Sequence, residues 1–249
     1  MPASNSHEDP SPEPAPARAP DGAAAPDRRA RARALREEAA DSGVPDRWCE
    51  DLYREAASTP EVVFWADRVP NPNLTARWGN WSGDLPDHPE ILVTGAGYGD
   101  DAAWLANQGA RVTAFDVSPS AVAAAAERFS DRPIRWLAGD LFAPRIQRAS
   151  GFQLVVEIYT LQVLHPDRRA AALAPLASLV APGGELWIIA RGRDDGDEPG
   201  ALPWPLLRAE LAPLTAFGLV ERSFEDYLDD ETPPLRRFVA RYRRPVARG

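Results

Sequence analysis

Hydrophobic positions along the chain fall into three regimes. Over residues 1–44 no apolar stripe repeats. Seven prolines stand within the first 26 positions, and the run Arg28-Arg29-Ala30-Arg31-Ala32-Arg33-Ala34-Leu35-Arg36 follows. Such a segment has too little apolar surface to offset the entropy of ordering. It predicts a disordered Pro/Ala/Arg-rich tail over 1–44, its basic run a solvated, fraying helix in preference to an RNA-binding arm.

Residues 45–85 read differently. A helix is predicted over 45–57, with Trp48, Leu52 and Tyr53 on one face. Phe64-Trp65 and the loop Val69-Pro70-Asn71-Pro72-Asn73 come next, with Trp78 and Trp81 close behind. Aromatic side chains this dense in a loop-rich stretch suit a helical, aromatic lid over a site, or a seal on the edge of the core.

From residue 86 to 245 strand and helix patterns alternate. Strands are predicted at 91–94, 111–116, 133–137, 152–158, 185–190, 219–224 and 235–242. The run 152–158 is apolar throughout, as in a strand covered on both faces. Helices are predicted over 100–107 (closed by Gly109), 119–129 (Ser118 as cap, Pro119 at its first position), 166–180 (bent at Pro175) and near 206–217. Gly183-Gly184 after Pro182 reads as a turn. The alternation predicts an α/β fold: a Rossmann-like, seven-stranded, mostly parallel sheet with helices on both faces and a C-terminal antiparallel hairpin.

Composition narrows the chemistry. No apolar run is long enough to span a membrane, and no apolar stretch follows the first basic residue as in a secretory signal. One cysteine, Cys49, and three histidines exclude a disulfide framework and a Cys/His zinc cluster, and fit a reducing, cytoplasmic compartment. All 28 basic residues are arginine, so lysine Schiff-base chemistry and the P-loop lysine are excluded. A net charge of −9 disfavours nucleic acid and anionic membranes as main partners.

Ligands of parallel sheets bind at the carboxyl ends of the strands. The loop Gly95-Ala96-Gly97-Tyr98-Gly99 lies at one such end. The dinucleotide pattern G-x-G-x-x-G would place its third glycine at position 100, which is Asp100, followed by Asp101. Two carboxylates at a helix N-terminus would repel a pyrophosphate, which suits a ligand without phosphates. Asp116, ending the second strand, can accept from both hydroxyls of a ribose. Asp140, in Ala138-Gly139-Asp140-Leu141-Phe142, can accept from an adenine amine. Together they describe a nucleoside-type cofactor.

These motifs, with Phe115-Asp116-Val117-Ser118 and Leu179-Val180-Ala181-Pro182-Gly183-Gly184, resemble the class I S-adenosylmethionine-dependent methyltransferases. Within them the chain looks most like the small-molecule branch of thiopurine and thiol methyltransferases. The resemblance implies S-adenosyl-L-methionine as cofactor, with its methionine end against Gly95, Ala96, Gly97 and Tyr98. It implies Asp116 on the ribose, Val117 beside the adenine, Asp140 on the adenine amine with Leu141 next to it, and Glu157 touching cofactor or substrate. Many members carry an acid two positions before the first glycine; here that position is Val93.

Methyl transfer from a sulfonium is an in-line displacement that needs alignment more than acid–base help. The acceptor wall is expected along residues 157–165, with Tyr159, Gln162 and His165, and on Trp65 from the lid. Tyr159 and Gln162 either bind substrate or pack, and His165 is either a base or a cap on the next helix. No catalytic residue is assigned. The acidic segments 194–198 and 225–231 are expected to repel anionic acceptors and favour neutral or cationic ones, while the arginines of the last strand face solvent. The competing readings are a non-catalytic cofactor-binding module and a nicotinamide-dependent oxidoreductase, the latter disfavoured by Asp100.

Overall fold

The computed structural model describes residues 25–41, 44, 46–143, 151–200 and 202–246. The strands β1 (Glu90–Thr94), β2 (Arg111–Asp116), β3 (Arg135–Ala138), β4 (Phe152–Ile158), β5 (Val180–Arg191), β6 (Val220–Leu228) and β7 (Arg236–Arg243) form one sheet. Their order is β3-β2-β1-β4-β5-β7-β6. The pairs among β3, β2, β1, β4 and β5 are parallel, and β7 runs antiparallel to both β5 and β6. This is the Rossmann-like sheet with a terminal hairpin that the alternation predicts. The strand order turns between β1 and β4, so the crevice at their carboxyl ends is where a ligand can enter.

Alternate side chains of each strand feed opposite cores. Leu92, Val155, Leu186 and Ile188 pack beneath α6 (Pro166–Ser178) and the 3-10 helix Arg208–Thr215. Ile91, Val93, Val156, Trp187 and Ile189 pack against α3 (Pro72–Trp81) and α4 (Asp100–Asn107). Two boundaries differ from expectation. Pro182-Gly183-Gly184 is no turn but an irregular start of β5, absorbed by a register shift opposite Phe152 and Leu154. The segment near 206–217 winds as a 3-10 helix, with Pro213 inside it removing a backbone donor.

The amino-terminal region needs the larger correction. Residues 1–24 lie outside the described residues, but Ala25–Asp41 is a helix, α1, and not a disordered tail. Ala32, Leu35 and Ala39 recur at three- and four-residue steps and are buried against Trp48, Leu52 and Tyr53 of α2 (Arg47–Glu55). Two alanines and one leucine make too thin a stripe to read as amphipathic among arginines; their partner helix supplies the apolar surface.

The tryptophans divide. Trp78 and Trp81 stand edge-on to Trp187, at ring separations of 5.9 and 5.1 Å, and seal a core face. Trp48 and Trp65 join a third cluster with α1, α2, Tyr98 of the glycine loop and Ala121 of α5 (Pro119–Arg128). α1, α2 and the segment through Trp65 therefore pack as one cluster over Tyr98 and α5, while α3 belongs to the body.

Candidate active site

The glycine loop leaves β1 with Gly95, Gly97 and Gly99 all at positive φ (59°, 52° and 82°). All three also stand where a side chain would collide, Gly99 against the Trp136 ring. A Cβ on Gly97 would lie 2.8 Å from the Tyr53 hydroxyl, and one on Gly95 would run into the Thr160 side chain. The loop is thus a cradle that only bare backbone fills.

Asp116 sits at the tip of β2 and is buried. One carboxylate oxygen accepts from Gly97 N–H and the other from Ser118 N–H, both at 2.9 Å. Burial pushes its pKa up, and the two backbone donors pull against that. Glu50 of α2 reaches over the same turn, accepting from the Ser118 hydroxyl at 2.7 Å and from Ser120 N–H at 3.0 Å. These bonds tie α2 to the turn that follows Asp116. Tyr53 continues the cover, edge-on to Tyr98 at 5.1 Å, and its hydroxyl accepts from the Trp65 indole at 3.2 Å.

Val117, beside Asp116, is 38% exposed, an apolar surface facing out at the strand tips. Gly139 N–H donates to the Asp116 carbonyl, which draws the β3 tip alongside. There Asp140 is exposed, and its carboxylate accepts from Phe142 N–H at 2.8 Å. Leu141 is buried next to it.

Glu157 ends β4, paired in register with Thr94 of β1, and is fully buried. Oε1 accepts from Leu161 N–H at 2.8 Å, while Oε2 has no partner. Burial raises the pKa to about 7, against the pull of backbone donors and Arg169. A pKa raised by folding means that stability is fully present below the unfolded value near 4.5, falls as pH rises, and levels off above about 7. Glu157→Gln is therefore expected to flatten the fall of Tm between pH 5 and 7 and to be the more stable protein at pH 8, by about 2–3 kcal/mol. Thermal denaturation of both proteins across that range is the check; parallel curves would show that Glu157 does not titrate there.

The remaining acceptor-wall residues separate. Gln162 is buried and packs: its amide oxygen accepts from Arg191 N–H at 2.8 Å, tying the turn after β4 to the end of β5. His165 precedes α6 but makes no side-chain cap; its ring stands edge-on to Trp204 at 5.4 Å and 3.4 Å from Asp167. Tyr159 takes a positive φ of 63°, a position that a bulky side chain seldom occupies, and its hydroxyl accepts from Arg237 at 3.0 Å.

Three electrostatic expectations change. The acidic rim is largely neutralised: Arg236 pairs with Asp194 and Asp226, Arg237 with Asp229 and Glu231, and Arg77 with Glu225. Arg237 and Arg241 do not face solvent but lie buried or nearly so, Arg241 against buried Glu185 at 2.9 Å. Asp100 pairs with Arg128 at 2.7 Å, so only Asp101 opposes a phosphate at the start of α4. Asp101 accepts from Asn71 N–H at 2.6 Å and is pushed up to about 6 by burial. These pairs join side chains from different elements or loops, which no local pattern displays. Tyr53 and Glu50 are the site residues that sequence reading missed; their only signal was their place on the aromatic face and first turn of a predicted helix.

Among the described residues there is no metal-binding group, and no helix is long and apolar enough to cross a membrane.

Comparison with known proteins agrees with this geometry. Residues 91–184 match a family model described as a methyltransferase domain. An uncharacterized methyltransferase of Mycobacterium tuberculosis is 37% identical over 99 residues, which cover 40% of this chain and 49% of the relative. The ribosomal RNA small subunit methyltransferase C of Alcanivorax borkumensis is 30% identical over 103 residues, covering 41% of this chain and 32% of the relative. The chain thus spans half or less of the curated relatives it matches. Among solved structures, the N-methyltransferase NodS of Bradyrhizobium japonicum, in complex with S-adenosyl-L-homocysteine, has a TM-score of 0.55 at 24% identity. That match covers 73% of this chain and 91% of NodS. The chain shares the Rossmann-like fold of these proteins, and its residues 91–184 are similar to a methyltransferase domain.

Proposed function

We propose that the chain is an S-adenosylmethionine-dependent methyltransferase acting on a small-molecule acceptor in a reducing, cytoplasmic compartment. The observation that carries the reading is the unpartnered Oε2 of fully buried Glu157, beside a loop whose glycines leave no room for side chains. A buried carboxylate oxygen without a donor is costly and calls for a cationic partner. The cofactor's ammonium is such a partner, and Glu157 then takes the place of the acid that Val93 lacks. Asp116 would hold the ribose hydroxyls, Val117 and Leu141 would flank the adenine, and Asp140 would accept from its amine. Backbone of Gly95, Ala96, Gly97 and Tyr98 would face the methionine end.

Bound there, the sulfonium supplies an already activated methyl group. The chain's own residues have to align the acceptor in line and exclude water. The lid of α1, α2 and Trp65 supports the second task, because it closes over Tyr98 and Asp116 with apolar side chains. Trp65, Tyr159 and His165 border the acceptor side, with Gln162 fixing the turn that carries them. A lid packed this closely, on a chain of net charge −9, favours a small acceptor over nucleic acid, including the RNA for which one relative is named.

The test is a thermal-shift series on the full chain. S-Adenosylhomocysteine at about 100 times its Kd should stabilise by about 2.7 kcal/mol, raising Tm by about 5–10 °C, while NAD leaves it unchanged. Calorimetric titration should find weaker binding to Glu157→Gln. A shift with NAD alone would favour the oxidoreductase. Cofactor binding without product release across an acceptor library would favour the inert module.

A further inference from the structure

Arg191 ends β5, paired in register with Arg237 of β7. Its backbone is fixed by the bond from its N–H to Gln162. Trp187 and Ile189 of the same strand face α3 and α4, and Arg191 continues that face at the carboxyl edge. Its side chain is partly buried, and among the described residues it makes no hydrogen bond or ion pair. The other buried arginines do not share this condition: Arg169 has Glu210 at 2.8 Å, Arg241 has Glu185 and Arg237 has Asp229 at 2.6 Å.

The surroundings deepen the imbalance. The charges acting on Arg191 are Arg237 and Arg29 on the repulsive side and Glu231 on the attractive one, with Tyr159 alongside; with burial, the like charges push its pKa down. Arg237 is already committed to Asp229, Glu231 and the Tyr159 hydroxyl. Arg29, from α1, lies over the Phe64 ring at 5.7 Å, next to Trp65 of the lid. Asp229 and Glu231 are thus both engaged by Arg237, and among the described residues no carboxylate is in direct contact with Arg191.

We propose that Arg191, with Tyr159 beside it, is an anion site that binds a carboxylate of the methyl acceptor. This rests on the methyltransferase reading above. A planar guanidinium with free donors matches a carboxylate through two parallel bonds. A single guanidinium suits a carboxylate monoanion better than a phosphate dianion. The cofactor's own carboxylate is a poorer candidate, because β5 is separated from β1 by β4, about 10 Å at the usual strand spacing. The site replaces the preference for neutral or cationic acceptors that the acidic loops suggested, since arginines pair most of those acids.

The experiment uses the full chain saturated with S-adenosylhomocysteine. Benzoate, phenylacetate and indole-3-acetate are each compared with their primary amides by thermal shift and titration. At least one acid should raise Tm while its amide does not. Arg191→Met should weaken that acid at least tenfold, leave S-adenosylhomocysteine affinity within twofold, and raise the Tm of the ligand-free protein by removing an unpaired, desolvated charge. Arg222→Gln, at an exposed position of β6, should bind the acid as the parent does. Amides equal to acids, no response to any acid, undiminished acid binding by Arg191→Met, or a lower Tm for that variant would each overturn the proposal. If the parent chain does not bind S-adenosylhomocysteine, the methyltransferase reading fails first and separately.

Discussion

Replacing Asp116 with alanine is expected to lower affinity for S-adenosylhomocysteine at least 100-fold. Hydrogen bonds to a charged acceptor contribute about 1.5–3 kcal/mol each, and two ribose hydroxyls would lose theirs together. The loss reaches further, because the same carboxylate accepts from Gly97 N–H and Ser118 N–H and so ties the glycine loop to the start of α5. Alanine leaves both donors unpaired in a buried place, at about 1–3 kcal/mol each, so Tm should fall as well. Asparagine separates the two effects. It keeps one carbonyl oxygen for a backbone donor and presents a neutral group to the ribose. Asp116→Asn leaves one of the two donors unpaired instead of both, so it should lose about half as much Tm as alanine and still bind about tenfold more weakly. Titration calorimetry at matched folded fractions reads both; an alanine variant within threefold of the parent would falsify the ribose role.

Sequence and structure agree where information is local. The glycine spacing, the Ser118 cap with its hydroxyl accepting from Ala121 N–H, and the two-sided apolar run of β4 each follow from neighbouring residues, and they fix the sheet and the place of the crevice. Asp116 and Glu157 were legible for the same reason, as carboxylates at strand ends. What sequence could not show depends on distant partners. The acids of residues 225–231 read as a repulsive rim because Arg236, Arg237 and Arg77 come from other elements. Arg237 and Arg241 read as solvent-facing because β7 looks like an edge strand, yet it lies between β5 and β6. The segment of helix α1 read as a disordered tail carrying a solvated, fraying helix because its thin stripe is apolar enough only against α2. Arg191 is the converse case: one arginine among many in sequence, distinguished only by having no hydrogen bond or ion pair of its side chain among the described residues.

Gly95→Ala is expected to be a strongly damaging small change at the candidate site. Its φ of 59° alone costs an alanine about 1–2 kcal/mol. The new Cβ would also lie 2.9 Å from Thr160 Cγ2 and 3.0 Å from its Cβ, and closer still to its hydroxyl. Thr160 has little freedom to retreat. Its hydroxyl donates to the Thr94 carbonyl at 3.1 Å, and its N–H helps hold the Glu157 carboxylate. Movement there disturbs β1, Glu157 and the turn that carries Tyr159 together. A total of about 2–4 kcal/mol corresponds to a fall in Tm of about 5–15 °C, with cofactor affinity reduced at least 100-fold. The double variant Gly95→Ala/Thr160→Gly removes the collision and keeps the backbone strain, so it should recover more than half of the lost Tm. If the double variant melts no higher than the single one, the damage comes from φ alone. Recovery would show instead that the missing side chain at position 95 is the space through which the cofactor loop and the acceptor wall are fitted to each other, so that neither can shift without the other.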